Sequence, residues 1–315
     1  MRYALMIEPQ QGCSYADQLA VARRAEAAGF EALFRSDHYD SFPGEGGRPT
    51  TDAWTVVAGL ARETERIRLG VLVSPVTFRH PGTLAKIVAT VDEMSGGRVT
   101  VGLGAGWNEE EHDHHGLPFP PIDVRAEMLE EQLAILRGLW QEPDGWSFAG
   151  RHYAVPASLF RPRPVQRPAP PVIVGGEGSP RSMRIAVRYA DEFNVTSSSP
   201  ERVAERYAKL DDIARAAGRD PSTLVHSAMV GTLVGRDAAE VERRSEAVLE
   251  QFGLAEQGTA WFETRRPRWV LGTPDEARAT VERFAAAGVE RLMLQDFLPW
   301  DLEMIDLLGE ELVRG

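Results

Sequence analysis

The chain has 315 residues, 43% hydrophobic and 26% charged, with 47 acidic side chains against 35 basic ones. That apolar share is enough for a full core and excludes disordered or collagen-like chains; the length fits two ordinary domains or one large α/β barrel. A net charge of −12 disfavours nucleic acid and anionic membrane as partners, because both reward positive surface.

Three smaller counts narrow the field. No apolar run approaches the roughly 18 residues of a membrane span, and Glu8 and Pro9 come too early for a signal peptide. Cys13 is the one cysteine. It cannot form an internal disulfide, which suits a reducing cytoplasm. The only lysines are Lys86 and Lys209, both within helical patterns, so Schiff-base chemistry is disfavoured.

Taken in chain order, residues 3–7 predict a strand, followed by a helix over 15–30. Leu19, Ala22, Ala25 and Ala28 recur there at helical spacing, and Gly29 is the cap. Strand two is 32–35 and its helix 51–64, opened by Thr51 and Asp52. Strand three (67–73) leads to a helix at 82–94, and strand four (99–103) to one at 123–140. A hairpin at 146–155 and a proline-rich approach at 162–171 interrupt the period. Strands five (172–174), six (193–196) and seven (224–234) precede helices at 181–189, 201–217 and 238–252. An irregular insertion at 253–268 follows, then an extra helix at 274–287, strand eight at 289–294 and a last helix at 302–313.

Strand–helix alternation implies parallel strands with right-handed crossovers. Eight units predict one (β/α)8 TIM barrel over residues 1–315, with insertions at about 145–171 and 253–268. A doubly wound open sheet is the alternative, and the missing G-x-G-x-x-G after strand one counts against it.

In a barrel, function belongs in the loops that follow the strands. After strand two stand Asp37 and His38, placed for proton transfer or for a structural hydrogen bond to backbone. After strand three, Thr77 and Arg79 face a ligand, or Arg79 only caps a neighbouring helix or pairs with a carboxylate. After strand four come Gly104, Gly106, Trp107 and Asn108. Those glycines admit a flat ligand or relieve crowding at the barrel rim, while Trp107 and Asn108 offer stacking and amide bonds. After strand five, Gly175, Gly176, Glu177, Gly178 and Ser179 open directly into a helix. This is an anion-binding arrangement or a plain tight turn. Thr196 and Ser197 add short donors beside it. The run at 109–115, three glutamates and three histidines around Asp113, reads as a solvated acidic helix start rather than a metal site. No metal ligand set is assigned, and Cys13 is given no role.

Seven ordered segments then carry a resemblance. They are Ser36-Asp37-His38, Arg66-Ile67-Arg68-Leu69-Gly70, Pro75-Val76-Thr77-Phe78-Arg79-His80-Pro81, Asp92-Glu93-Met94-Ser95-Gly96-Gly97-Arg98, Gly102-Leu103-Gly104-Ala105-Gly106-Trp107, Gly116-Leu117-Pro118-Phe119, and Gly175-Gly176 through Tyr189-Ala190-Asp191. Across its whole length the chain resembles the luciferase-like flavin and deazaflavin oxidoreductases, most of all the branch that uses coenzyme F420. The resemblance implies a TIM barrel with the cofactor ring at the carboxyl ends of the strands and His38 beside ring and substrate. It implies a bulge with a non-prolyl cis peptide around Leu72, Val73 and Ser74, and a phosphate held by Gly176, Glu177, Gly178, Ser179, Thr196 and Ser197.

The reaction it implies is hydride transfer between the deazaflavin and a small organic substrate, with His38 as proton donor or acceptor and Trp107 packed near the ring. The alternatives are an FMN-dependent monooxygenase, which needs a partner flavin reductase, and a non-catalytic flavin-binding protein. A homodimer is expected by resemblance. The sugar-phosphate dehydrogenases of the family carry a tryptophan where Phe42 stands nearest, a glutamate at Trp107, and a lysine near Ser199. Their substrate therefore does not carry over.

Overall fold

Strand β1 (Arg2–Ile7) shows how each barrel stave is buried on both faces. Ala4 and Met6 point into the barrel, where they meet Phe34, Ile173 and Met293. Leu5 and Ile7 point outward into the layer between strands and helices. A near-continuous apolar run is what parallel strands under helices require.

The computed structural model describes residues 1–44 and 46–315. After β1 follow α1 (Tyr15–Ala28), β2 (Ala32–Arg35), α2 (Ala53–Glu63), β3 (Arg68–Pro75), α3 (Pro81–Ser95) and β4 (Val99–Gly104). Then come α4 (Glu109–His114), α5 (Ile122–Gln141), the hairpin β5 (Phe148–Ala149) and β6 (Ala154–Val155), β7 (Val172–Gly176), α6 (Pro180–Tyr189), β8 (Glu192–Thr196) and α7 (Pro200–Ala216). The chain ends through β9 (Val225–Val234), α8 (Ala238–Gln251), α9 (Ala260–Glu263), β10 (Val270–Gly272), α10 (Pro274–Ala286), β11 (Arg291–Asp296) and α11 (Leu302–Leu308).

The eight long strands close on themselves. β8 pairs with β9, β9 with β11, and β11 with β1, all parallel. This excludes the open sheet and establishes the (β/α)8 barrel. Among the described residues no helix is long and apolar enough to cross a membrane.

Two segments differ from the sequence reading. Residues 253–268 are not irregular: they hold the 3-10 turn Ala255–Gln257, helix α9 and the turn Arg266–Arg268. β10 is a ninth strand, pairing with the last residues of β9. Three residues are too few to show a period, so pattern could not reveal it.

One irregularity shapes the barrel interior. The β3–β4 register slips between Val71 and Ser74, and the Leu72–Val73 peptide is cis. Val73 then fills space that three glycines leave open. A Cβ added at Gly104 would lie 2.7 Å from Val73 Cγ2, and one at Gly175 would lie 2.9 Å from Val73 Cγ1. At Gly102 it would also meet the Val71 carbonyl at 2.3 Å. Here relief of crowding is the reason for glycine.

Gly104→Ala should therefore destabilise the fold by about 1–3 kcal/mol through overpacking. Denaturant melts of Gly104→Ala, Val73→Ala and the double variant check this, because the double should cost less than the sum of the singles. A second expectation concerns Asp296, fully buried at the end of β11. Burial pushes its carboxyl up to about 7, against roughly 3.9 unfolded. The folded state thus binds more protons between these values, and stability present at pH 4 is lost as pH rises through 7. The stability of Asp296→Asn relative to wild type should grow by roughly 2–4 kcal/mol between pH 4 and 8, read from urea midpoints.

Candidate functional site

At the carboxyl ends of the strands lies a cavity of about 910 Å3. All eight barrel strands or the loops that follow them contribute to its wall. Of the residues singled out by sequence, His38, Leu72, Val73, Gly106, Trp107, Gly175, Gly176, Glu177, Ser179, Thr196 and Ser197 line it. Asp37, Ser74, Asn108 and Gly178 do not.

Those four serve as supports. Asp37 is buried behind the wall, where it accepts from Ser74 Oγ (2.8 Å) and Arg79 Nη1 (2.5 Å). Ser74 Oγ in turn accepts from Trp54 Nε1 (2.9 Å). Asp52 and the Tyr39 hydroxyl also bond Arg79. Arg79 therefore joins the loops after β2 and β3 and faces no ligand, and this settles the choice left open above. Asn108 caps α4, and its carbonyl accepts from His112 Nδ1 (2.6 Å). Gly178, at φ +85°, lies under Arg206, whose Cδ would be 3.0 Å from an added Cβ.

Among the described residues His38 is the one histidine that lines the cavity. Its Nδ1 donates to Glu111 Oε2 at 3.0 Å, and no protein group among the described residues bonds Nε2. Glu111 is buried, and its Oε1 accepts from the backbone N–H groups of Tyr39 and Asp40. A carboxylate only accepts, so the neutral ring carries its proton on Nδ1 and has Nε2 as the nitrogen left for a ligand. The 109–115 run is thus not uniformly solvated: Glu109 and Glu110 are exposed, but Glu111 and His112 are buried. His112 Nε2 meets Thr77 Oγ1 at 2.6 Å. Around His38 stand Phe42, edge-on at 4.5 Å, and Trp107 at 5.9 Å.

Sequence reasoning missed the cavity floor. Glu8 accepts from Gln10 Nε2 (2.8 Å) and Gln295 Nε2 (2.5 Å), while Ser36 Oγ donates to Gln10 Oε1 (2.7 Å). The alternation Ala4, Met6, Glu8 along β1 was the available signal, since it carries Glu8 inward. Phe252 and Phe297 complete the wall on one side. Both pack on an aromatic cluster built by the 253–268 insertion, with Trp269 stacked on Phe297 at 5.1 Å and Trp261 edge-on to Phe252 at 5.9 Å. Cys13 lies outside this site, and burial pushes its thiol up to about 12.

The residues fit a flat, phosphate-bearing cofactor. Gly106 and Gly176 present bare backbone to the cavity, which lets a ring approach closely, while the side of Gly104 and Gly175 is taken by Val73. Asn194 lines it with a buried Oδ1 that has no protein partner, an acceptor left for a ligand. Ser179 caps α6 by accepting from Ser182 N at 3.1 Å. Ser197 is turned to φ +44°, and Arg206 reaches the neighbouring Ser198 hydroxyl at 2.5 Å. This gathers hydroxyls and a guanidinium at one end.

Comparison with known proteins agrees with this architecture. An F420-dependent glucose-6-phosphate dehydrogenase of Microbacterium testaceum is 30% identical over 310 residues, 92% of this chain and 90% of that one. An FMNH2-dependent dimethylsulfone monooxygenase of Pseudomonas putida is 30% identical over 233 residues, 73% of this chain and 60% of that one. The solved structure of an F420-dependent secondary alcohol dehydrogenase, in complex with an F420-acetone adduct, superposes with a TM-score of 0.83 at 23% identity. That alignment covers 100% of this chain and 99% of that one. The family model for luciferase-like monooxygenases matches residues 1–292, so the chain belongs to the luciferase-like monooxygenase family.

Proposed function

We propose that this protein is an oxidoreductase that transfers a hydride between coenzyme F420 and a small, largely apolar alcohol or carbonyl compound. The observation that carries the reading is His38, held by Glu111, with its free nitrogen facing a glycine-walled cavity. The F420-dependent relative also aligns over more of both chains than the FMN-dependent one.

Asn194, Gly176, Ser179, Thr196 and Ser197 would hold the cofactor, with His38 beside its ring and facing the substrate. When bound, a 5-deazaflavin supplies two-electron hydride chemistry. The chain's own residues supply the rest. Val73 and the glycines back one face of the site, Phe42, Phe252 and Phe297 give the other an apolar wall, and Trp107 stands exposed at its rim. Nε2 of His38 accepts the proton of a substrate hydroxyl in oxidation and returns it to a carbonyl oxygen in reduction. Glu111 is a positioning residue: it fixes the tautomer and stabilises the imidazolium that forms.

Substrate chemistry follows from charge. Among the described residues Arg181 is the sole arginine or lysine lining the cavity, and it lies at the start of α6 beside the phosphate loop. No cation stands among the aromatic residues around His38. A sugar phosphate would be poorly held there, which agrees with Phe42 and Trp107 standing where the sugar-phosphate dehydrogenases carry other residues.

Titration of the purified protein with F420 and with FMN, followed by fluorescence, tests the cofactor. F420 binding alone is expected; FMN binding without F420 would overturn the reading in favour of the monooxygenase. With a substrate in hand, His38→Ala should keep cofactor affinity within a few-fold yet lose roughly 100-fold or more in turnover. Glu111→Gln should lower kcat by about tenfold or more, with cofactor affinity unchanged. Its amide donates to Nδ1 and moves the ring proton to Nε2. The 15N shifts of His38 should therefore exchange, and an unchanged tautomer would remove the positioning role.

A further inference from the structure

The outer face of α6 carries arginines at 181, 184 and 188. This spacing puts them on one side of the helix, over a length of about 10 Å. They line a second cleft of about 630 Å3 on the flank of the barrel, together with Arg219 and a single acid, Glu130. Arg181 and Ile185 line both this cleft and the main cavity. The cleft therefore begins where the phosphate loop ends.

The cleft is unusual for a chain at −12. Among the described residues no acid lies within ion-pair distance of Arg184, which is exposed. Arg188 pairs with Glu130 at 3.0 Å, but their side chains are 67% and 39% exposed. Arg181 reaches Asp123 at 3.4 Å, with Asp123 87% exposed, and Glu127 only at 4.0 Å. Such surface pairs are weak and exchange readily for a better anion. Arg219 is fixed differently, since its Nη1 donates to the carbonyls of Val187 and Ala190 at 2.8 Å. It contributes a positive charge that no carboxylate contacts among the described residues, with Asp191 acting on it only from a distance.

We propose that this cleft binds an oligocarboxylate chain attached beyond the cofactor's phosphate. Coenzyme F420 has such an extension, an oligoglutamate, whereas FMN ends at its phosphate. The inference rests on the cofactor reading above and adds a subsite to it. An acidic tail leaving the 176–179 loop passes Arg181 and runs along α6 beside Arg184 and Arg188. Its successive carboxylates replace the exposed partners of those side chains.

The test is a pair of titrations of the full-length protein in low-salt buffer. One uses F420 carrying several glutamates, the other the same deazaflavin phosphodiester without them. The tailed form should bind roughly tenfold tighter, and 0.5 M salt should erase most of that gap. In an Arg184→Gln/Arg188→Gln variant, the tailed form should weaken to the affinity of the tail-free form, which itself stays unchanged. Both positions are exposed, and an unaltered melting temperature confirms that the variant is folded. Equal affinities in wild type, or a tail preference that survives both substitutions, would overturn the inference while leaving the cofactor reading intact. Binding of FMN alone would overturn both.

Discussion

One buried carboxylate joins the two loops on which the site depends. Glu111 comes from the short helix after β4, yet its side-chain bonds go to the loop after β2: His38 through its ring, Tyr39 and Asp40 through their backbones. Three charge-assisted bonds to one side chain fix both loops at once. Arg79 extends the same logic to the third loop by bonding Asp37 and Asp52. Because these ties lie behind the cavity wall, the side chains that face a ligand are held without being consumed. That division explains why Asp37, although next to His38 in sequence, never reaches the cavity.

The parts of this structure that the sequence disclosed are those set by local pattern. Apolar runs bounded by helical periods reveal the eight strands, and glycine-rich loops at their ends mark the site. What stayed hidden depends on register or on distant pairing. The run at 109–115 holds three adjacent glutamates of identical chemistry, and only the packing of α4 selects Glu111 to turn inward. Glu8 and Gln295 meet because neighbouring strands β1 and β11 bring their ends together, and nothing within either segment announces it. β10 escaped because three residues carry no period. The glycines of β4 and β7 allowed two readings, and the turn of Val73 at the bulge decides for crowding at 102, 104 and 175.

Electrostatics in this protein is arranged locally against a hostile average. A net negative chain repels phosphate at long range, so any anion must be held by short-range donors once it arrives. Hydroxyls at Ser179, Thr196 and Ser197 provide some of these, and Arg206 stands just behind them. Basic residues elsewhere are mostly committed to structure. Arg35, for example, is fully buried with every nitrogen bonded to Ser36, Gln18 or Thr51. The arginines of α6 stand out because so little of their charge is spent in this way.

The aromatic wall formed by Phe252 and Phe297 belongs to a hydrophobic cluster separate from the main barrel core, built from Trp261, Phe262, Trp269 and their neighbours. One wall of the cavity is therefore packed by a cluster that rests on Leu233 of β9 and on α8, while the opposite end is cut from the barrel strands themselves. Trp269 lies directly over Gly231 of β9, so changes in this cluster should couple to that stave rather than simply add to its stability. Repacking Trp261 or Trp269 therefore reshapes the wall at Phe252 and Phe297 from behind, and leaves the loop at 176–179 on the far side of the cavity where it is.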